Sequence, residues 1–397
     1  DKYWVTPVEF LSNEYQGWIL NVASFRLRAL GRLAEATQPM QAAIERYITA
    51  QNWKEAALNA SNLSELYLAL GDVAAAVQVG EQSVELSDRS GDSFRRICSR
   101  INVADALHQA ARLQASQLAF RKAEALQAER QPQYPLLYSI PGFCYCDLLL
   151  ERGLLEPEAA VADPSAEAGA GSGEASSWLA RCDEVRDRVK YALEEANDKD
   201  FLLDAGLDNI SLGQTYLLEA TLRHKYPAES STSEDPMILL HQATHHFNQS
   251  VSLLRQAGAQ EFIARGLLAR AALWRMSSQL IADSSQLTKE DYLEKAHRDL
   301  TEVEQIARRS KMLIHQIEAA LERCRLALAM DNQIQARAKL DEAKALVKQT
   351  ERPYVPHEPT WEEWEPPEYV GLFQEGEMVG YHRRNGEIAE LEQQLGD

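Results

Sequence analysis

The sequence predicts an all-α fold, a right-handed superhelical solenoid of helical hairpins, and three observations carry that prediction. A pattern recurs every 40 residues: Leu30-Gly31-Arg32 and Leu70-Gly71-Asp72 each end a helix-like segment, and Ala110-Ala111-Arg112 takes the same place in the next step. Small residues Ala36 and Ala76 follow the glycines at one offset, with Ser116 at the third. Leu, Ala, Glu, Gln and Arg dominate the periodic stretches, and long alternating β-branched runs are absent. A glycine turn between two amphipathic helices, repeated at a fixed step, is how stacked hairpins read in sequence.

The elements follow in order. Residues 14–30 form the first helical stretch, with Trp18, Val22, Phe25 and Leu30 as its apolar positions. Gly31 breaks it, and residues 35–49 resume the period. The second hairpin spans residues 53–70 and 73–90 and leaves at Gly91-Asp92, a C-terminal glycine stop. The third uses residues 94–110 and 114–129, and Pro132 and Pro135 end it. Large residues such as Leu63, Tyr67, Leu107 and Phe120 are expected to fill hollows left by Ala76, Ser83, Ala104 and Ala123, as helix packing requires.

A fourth hairpin starts near residue 138 and turns at Gly153. Residues 157–177, rich in Gly, Ser, Ala and Glu, read as a flexible acidic loop. Helix resumes at residue 178, and later hairpins use 201–224 with 236–256, 260–282 with 290–308, and 311–330 with 333–348. Residues 352–380 hold five prolines with Trp361 and Trp364 and read as an extended loop, dispensable for the core although docked locally by its aromatics. The expected organisation is therefore repeats over 1–156, an acidic loop over 157–177, repeats over 178–351, a Pro/Trp-rich loop over 352–380 and a terminal capping helix within 381–397.

Composition narrows the function. The 397 residues are 45% hydrophobic and 25% charged, with a formal net charge of −19. An acidic chain lacks the basic footprint that phosphate contact needs, which disfavours nucleic acid as a general partner. Cys98, Cys144, Cys146, Cys182 and Cys324 form no disulfide framework and no paired zinc spacing, so a cytoplasmic protein is expected. No segment reads as a signal peptide or a membrane span. The opening Asp1 suggests a chain excised from something larger.

The hairpins resemble tetratricopeptide repeats. Ser64, Tyr67, Gly71, Ala76, Gly80 and Ser83 fall on the small and aromatic places of that motif. Ala104, Leu107, Ala111, Ser116, Phe120 and Ala123 follow in the third hairpin, and Gly213, Tyr216, Ala243 and Phe247 in the fifth. Cys324, Ala327, Asp331, Ala336, Leu340 and Ala343 match loosely in the seventh. The 40-residue step departs from the usual 34 and leaves the superhelix curvature open. A narrower likeness lies in NLSELYLALGD at 62–72, ADALHQ at 104–109, PQYPLLYSIPGFCYCDLLLERG at 132–153, GLLARAALWR at 266–275 and GYHRRNGEIAEL at 380–391. Together these phrases are similar to the C-terminal repeat sensor of bacterial STAND-type (NACHT/NB-ARC-like) NTPases. That likeness implies a trigger-recognising region, linked to upstream NTPase and effector domains, in antiphage defence. The alternative is a free-standing scaffold or regulatory adaptor.

Candidate sites follow from the repeat register. Asn62 and Asn102 are equivalent, as are Glu65 and Asp105 three residues on. They form a ladder on the first helices that suits peptide backbone or basic side chains; the competing reading is a solvated face or caps on neighbouring helices. Arg265 is placed toward the same groove. Tyr134, Tyr138, Phe143 and Tyr145 form an aromatic cluster, read either as an interface hot spot or as core. Tyr381, Arg383 and Arg384 are expected to fix the terminal cap, through Glu387 or Glu390, or to touch a partner. His241 and His245 share a helix face, but without a glutamate base or further ligands they make no metal site. Cys144 and His108 lack an orienting third group, and no G-x-x-x-x-G-K-[ST] loop occurs. The expectation is a non-enzymatic recognition protein without cofactor or metal, bound to a macromolecular protein partner.

Overall fold

A computed structural model describes residues 10–155, 174–198, 201–226, 235–280 and 287–396. The fold is all-α: fifteen helices and one two-residue strand pair occur among the described residues. The expected loop over 157–177 lies mostly outside them, and its last four residues belong to a helix that starts at Glu174. Of the polar stretch 227–235 only Asp235 is described, and it caps the helix behind it through Oδ1 and the Met237 amide (2.9 Å).

The chain divides into two compact units, each drawn from separate stretches of sequence. The first comprises Asp1–Leu137, Ala307–Ile314 and Lys344–Gly386. Its body is three hairpins: α1 (Asn13–Ala29) with α2 (Leu33–Thr49), α3 (Trp53–Leu70) with α4 (Val73–Ser90), and α5 (Ser93–Gln109) with α6 (Leu113–Arg130). The starts of the first helices, and of the second, repeat at a step of 40 residues. Hydrogen bonds explain why. Ser24 Oγ donates to the Ala36 carbonyl (3.0 Å) and Ser64 Oγ to that of Ala76 (2.7 Å). In the third hairpin the hydroxyl has moved to the other helix, and Ser116 Oγ donates to the Ala104 carbonyl (2.8 Å). One buried hydroxyl thus ties the helix pair at the same level each time, where only a small residue permits the approach.

The turns repeat as well. Gly31, Gly71 and Ala111 all have positive φ (71°, 83° and 62°), so the third turn carries the strain of a side chain in the left-handed region. Gly71 is fixed twice over, because an added Cβ would come within 2.8 Å of Leu313 Cβ. Between the helices lie Ala36, Met40, Ile44, Tyr47, Ala60 and Leu63, all buried, with Tyr67 packed at the margin. Phe120 is fully buried, as its place in the motif requires.

The second unit comprises Tyr138–Ile306, His315–Ala343 and Glu387–Asp397. It contains α7 (Ser139–Leu155), α8 (Glu174–Asp198), α9 (Leu202–Lys225), α10 (Pro236–Ala257), α11 (Gln260–Leu280) and most of α12 (Lys289–Ser310). Stretches of α13 (Leu313–Ala329), α14 (Gln333–Thr350) and α15 (Asn385–Leu395) complete it. α9 and α10 pack closely because Gly206 and Gly213 lack side chains: a Cβ would meet Leu254 and Phe247, each at 2.7 Å. Gly213→Val is therefore expected to destabilise by about 2–3 kcal/mol through overpacking against the buried Phe247. Thermal unfolding checks this, and an unchanged melting temperature would contradict the close approach.

The apolar positions named on α1, Trp18, Val22, Phe25 and Leu30, are exposed, while Gln16, Gly17, Leu20, Ser24 and Leu27 form its buried face. α1 is apolar on two faces, and α2 covers only the second. The segment 352–380 is not dispensable for the core. It bears Tyr354, Trp364, Tyr369, Phe373 and Val379 as buried side chains and is fastened to α4. Its ends pair as β1 (Arg352–Pro353) and β2 (Met378–Val379), antiparallel. Among the described residues no helix is long and apolar enough to cross a membrane.

Candidate recognition surface

Four register positions stay accessible on the first helix of each hairpin in the first unit. On α3 they are Glu55, Leu58, Asn62 and Glu65, all half-buried; on α5 they are Arg95, Cys98, Asn102 and Asp105, also half-buried. On α1 the same positions are Tyr15, Trp18, Val22 and Phe25, all exposed. The face is thus a ladder with two polar rungs and one apolar rung.

Three of the four predicted polar residues, Glu65, Asn102 and Asp105, are engaged within the chain, and Asn62 is half-buried beside them. Asn102 Nδ2 donates to both the carbonyl and the hydroxyl of Ser61 (2.8 Å each), linking α5 to α3. Glu65 meets Arg28 of α1 at 3.4 Å. Asp105 accepts from Gln109 Nε2 at 2.7 Å. So the ladder joins consecutive hairpins while its edges remain open to solvent.

Arg265, on α11, lies with its guanidinium 5.4 Å from the Phe143 ring, a cation–π contact. It belongs to the second unit, whereas the ladder residues belong to the first. The aromatic cluster divides. Phe143 and Tyr145 are buried, against which Tyr138 is exposed (44%) and corrects the reading that it is core. Tyr134 is half-buried, and its carbonyl accepts from Gln127 Nε2 (2.9 Å).

The C-terminal trio serves the first unit. Tyr381 is fully buried and its amide donates to Thr350 Oγ1 (2.8 Å). The Arg383 amide donates to the Gln109 carbonyl (3.1 Å), and its guanidinium reaches Gln109 Oε1 (3.4 Å). Arg384 is buried. Glu387, expected to pair with these arginines, is bridged by Arg325 of α13, and Arg337 of α14 holds the Leu395 carbonyl at the end of α15 (2.7 Å).

Sequence reasoning missed the densest polar constellation. Glu81, Glu85 and Asp88 line one face of α4 and receive the 352–380 segment. Glu81 accepts from the Tyr354 hydroxyl and from the Gly371 amide (2.8 Å). Glu85 meets His357 Nε2 at 2.6 Å and accepts from the amide (2.8 Å) and hydroxyl (3.0 Å) of Thr360. Asp88 accepts from Trp364 Nε1 (3.3 Å) and pairs with Arg96 (2.9 Å) and Arg100 (3.0 Å). Burial pushes the Glu81 carboxyl up, against its hydrogen bonds. Burial also works to raise Glu85, but the hydrogen bonds from His357 and Thr360 outweigh it and hold that carboxyl below its ordinary value. The arrangement binds an extended strand of the protein's own chain through charged acceptors.

His246 is half-buried. Its Nδ1 meets Asn209 Oδ1 at 2.8 Å, and its ring stacks on Tyr216 with centroids 5.4 Å apart. Burial first, then the neighbouring His245, pushes it down to about 4. It ties α10 to α9. Among the described residues no group of three or more His, Cys, Asp or Glu side chains is placed to hold a metal ion. Cys144 and His108 are both buried. Compared with known proteins, the sequence matches no protein-family model and no curated protein.

Proposed function

We propose that this chain is a non-catalytic protein-recognition array, the trigger-sensing part of a larger STAND-type NTPase signalling protein in antiviral defence. The observation that carries the recognition reading is the ladder. At one helical register, three successive first helices keep four positions accessible while the positions between them are largely buried. A rigid row of this kind suits an extended or helical protein segment, because its side chains are already ordered before binding. The rungs Glu55, Asn62 and Glu65, then Asn102 and Asp105, favour a neutral or basic segment. The link to an NTPase rests on the quoted sequence phrases, and the cytoplasmic setting on five cysteines that form no disulfide framework.

Two measurements test this. The isolated chain should show no nucleotide turnover; measurable ATP hydrolysis would overturn the non-enzymatic assignment. The protein containing this region should capture a phage-encoded protein during phage challenge. Capture should fall at least about tenfold when Asn62→Ala, Glu65→Ala, Asn102→Ala and Asp105→Ala are combined. Unchanged capture by the folded quadruple variant would remove the ladder as the site.

A further inference from the structure

The first rung differs from the other two in its exposure and its apolar character. On α1, Ile19 is 40% exposed, whereas its equivalents Asn59 and Ser99 are at 0% and 1%. Beside it run Tyr15 (65%), Trp18 (58%), Val22 (38%) and Phe25 (66%), with Phe10 (85%) and Leu30 (70%) at the two ends. Solvent-exposed aromatics in one contiguous row are rare on monomers and mark contact surfaces.

We propose that this face binds a second copy of the same chain, α1 packed antiparallel on α1 about a two-fold axis near Leu20. The row itself supplies the argument. Positions 15, 18, 22 and 25 follow the 3-4-3 spacing of a two-helix seam. They are symmetric about position 20, so reversing the helix sets Tyr15 against Phe25 of the partner subunit and Trp18 against Val22 of the partner subunit. The same reversal brings Phe10 to the partner's Leu30. An interface between identical chains must be self-complementary in this manner.

Charge selects the direction. The N-terminal end of α1 carries exposed Glu14, and the C-terminal end carries exposed Arg26, Arg28 being held by Glu65. Antiparallel packing places Glu14 of each helix beside Arg26 of the other, and opposes the helix dipoles favourably. Parallel packing would set like charges together. At about 200 Å² for each aromatic side chain, the exposed fractions of Phe10, Tyr15, Trp18 and Phe25 leave roughly 550 Å² of aromatic surface open, about two thirds of one side of a standard interface. The inference rests on the first rung alone, and the residues changed to test trigger binding, Asn62, Glu65, Asn102 and Asp105, lie on the second and third.

Sedimentation velocity of the chain from nanomolar to tens of micromolar concentration tests the proposal. A dimer is expected. Trp18→Glu with Phe25→Glu should weaken self-association at least about tenfold while circular dichroism stays that of the native fold, since both residues are exposed. A wild-type monomer throughout, or a dimer indifferent to the double variant, would overturn it. Direction is read with single cysteines and a short thiol-to-thiol cross-linker, against the wild-type chain as control. Ile19→Cys should cross-link to its own copy near the axis. Ala29→Cys should not, because the two thiols would stand about 27 Å apart along the helix at 1.5 Å per residue. Equal cross-linking at both positions would exclude the antiparallel seam.

Discussion

Glu85→Ala is expected to release the 352–380 segment from α4 and to cost about 1–3 kcal/mol of stability, the range for removing one partner of a buried hydrogen-bonded group. The side chain is fully buried and receives the Thr360 amide, the Thr360 hydroxyl and the His357 ring. Alanine strips all three of a partner; the His357 ring is left in a half-buried site, while exposed Thr360 turns its amide and hydroxyl to water. The Thr360 amide is a local reporter, and the Gly371 amide, held by Glu81, is its comparison. Hydrogen exchange should find Thr360 unprotected in the variant and Gly371 less affected. Native-like protection of Thr360, with a denaturation midpoint unmoved, would show that the carboxylate does not hold the segment. The pH dependence has a definite sign. A folded-state carboxyl held below its ordinary value contributes stability above about pH 4.5 and loses it as pH falls. Glu81 runs the other way, since its raised value favours the protonated form. The wild-type attachment should therefore loosen first at Glu85 on acidification.

That constellation shows where sequence reasoning stopped. The hairpins were legible because a turn glycine and a small helix-contact residue are local demands, and Gly31, Gly71, Ser24 and Ser64 meet them in register. Glu81, Glu85 and Asp88 read as an ordinary solvated helix face. Their partners lie more than 270 residues away, and no spacing rule connects α4 with a proline-rich loop. The ladder was half legible: equivalence of Asn62 with Asn102 follows from the step, but the bond from Asn102 to Ser61 depends on how closely α3 and α5 approach. On α1 periodicity left coverage open, because an apolar residue reports hydrophobicity and not coverage. Leu20 and Leu27 were covered by α2, whereas Trp18 and Phe25, equally apolar, were left outside.

Asp208→Asn is expected to stabilise the protein, by an amount that grows with pH to the order of 5 kcal/mol. Asp208 lies on α9, only 4% exposed, and its Oδ2 has no hydrogen-bond partner. Burial, and secondarily the charge of Asp204, push its carboxyl from 3.8 up to about 8. Asp204 is itself occupied by the Ser139 hydroxyl (2.6 Å). In the unfolded chain the group ionises near its ordinary value, so folding must keep a proton on it. Its contribution is accordingly full below about pH 4, declines by about 1.4 kcal/mol for each pH unit as the pH rises, and levels off above about pH 8. Asparagine has the same shape and no charge to bury, so the variant should lack this slope. Urea denaturation of both proteins at pH 4.5, 6, 8 and 9 isolates the residue, because every other titrating group is common to the two. The curves should nearly meet at the acid end and separate steadily toward the alkaline end. Parallel curves would mean that Asp208 ionises in the folded protein at its ordinary value, and that the packing of α9 leaves it a route to water.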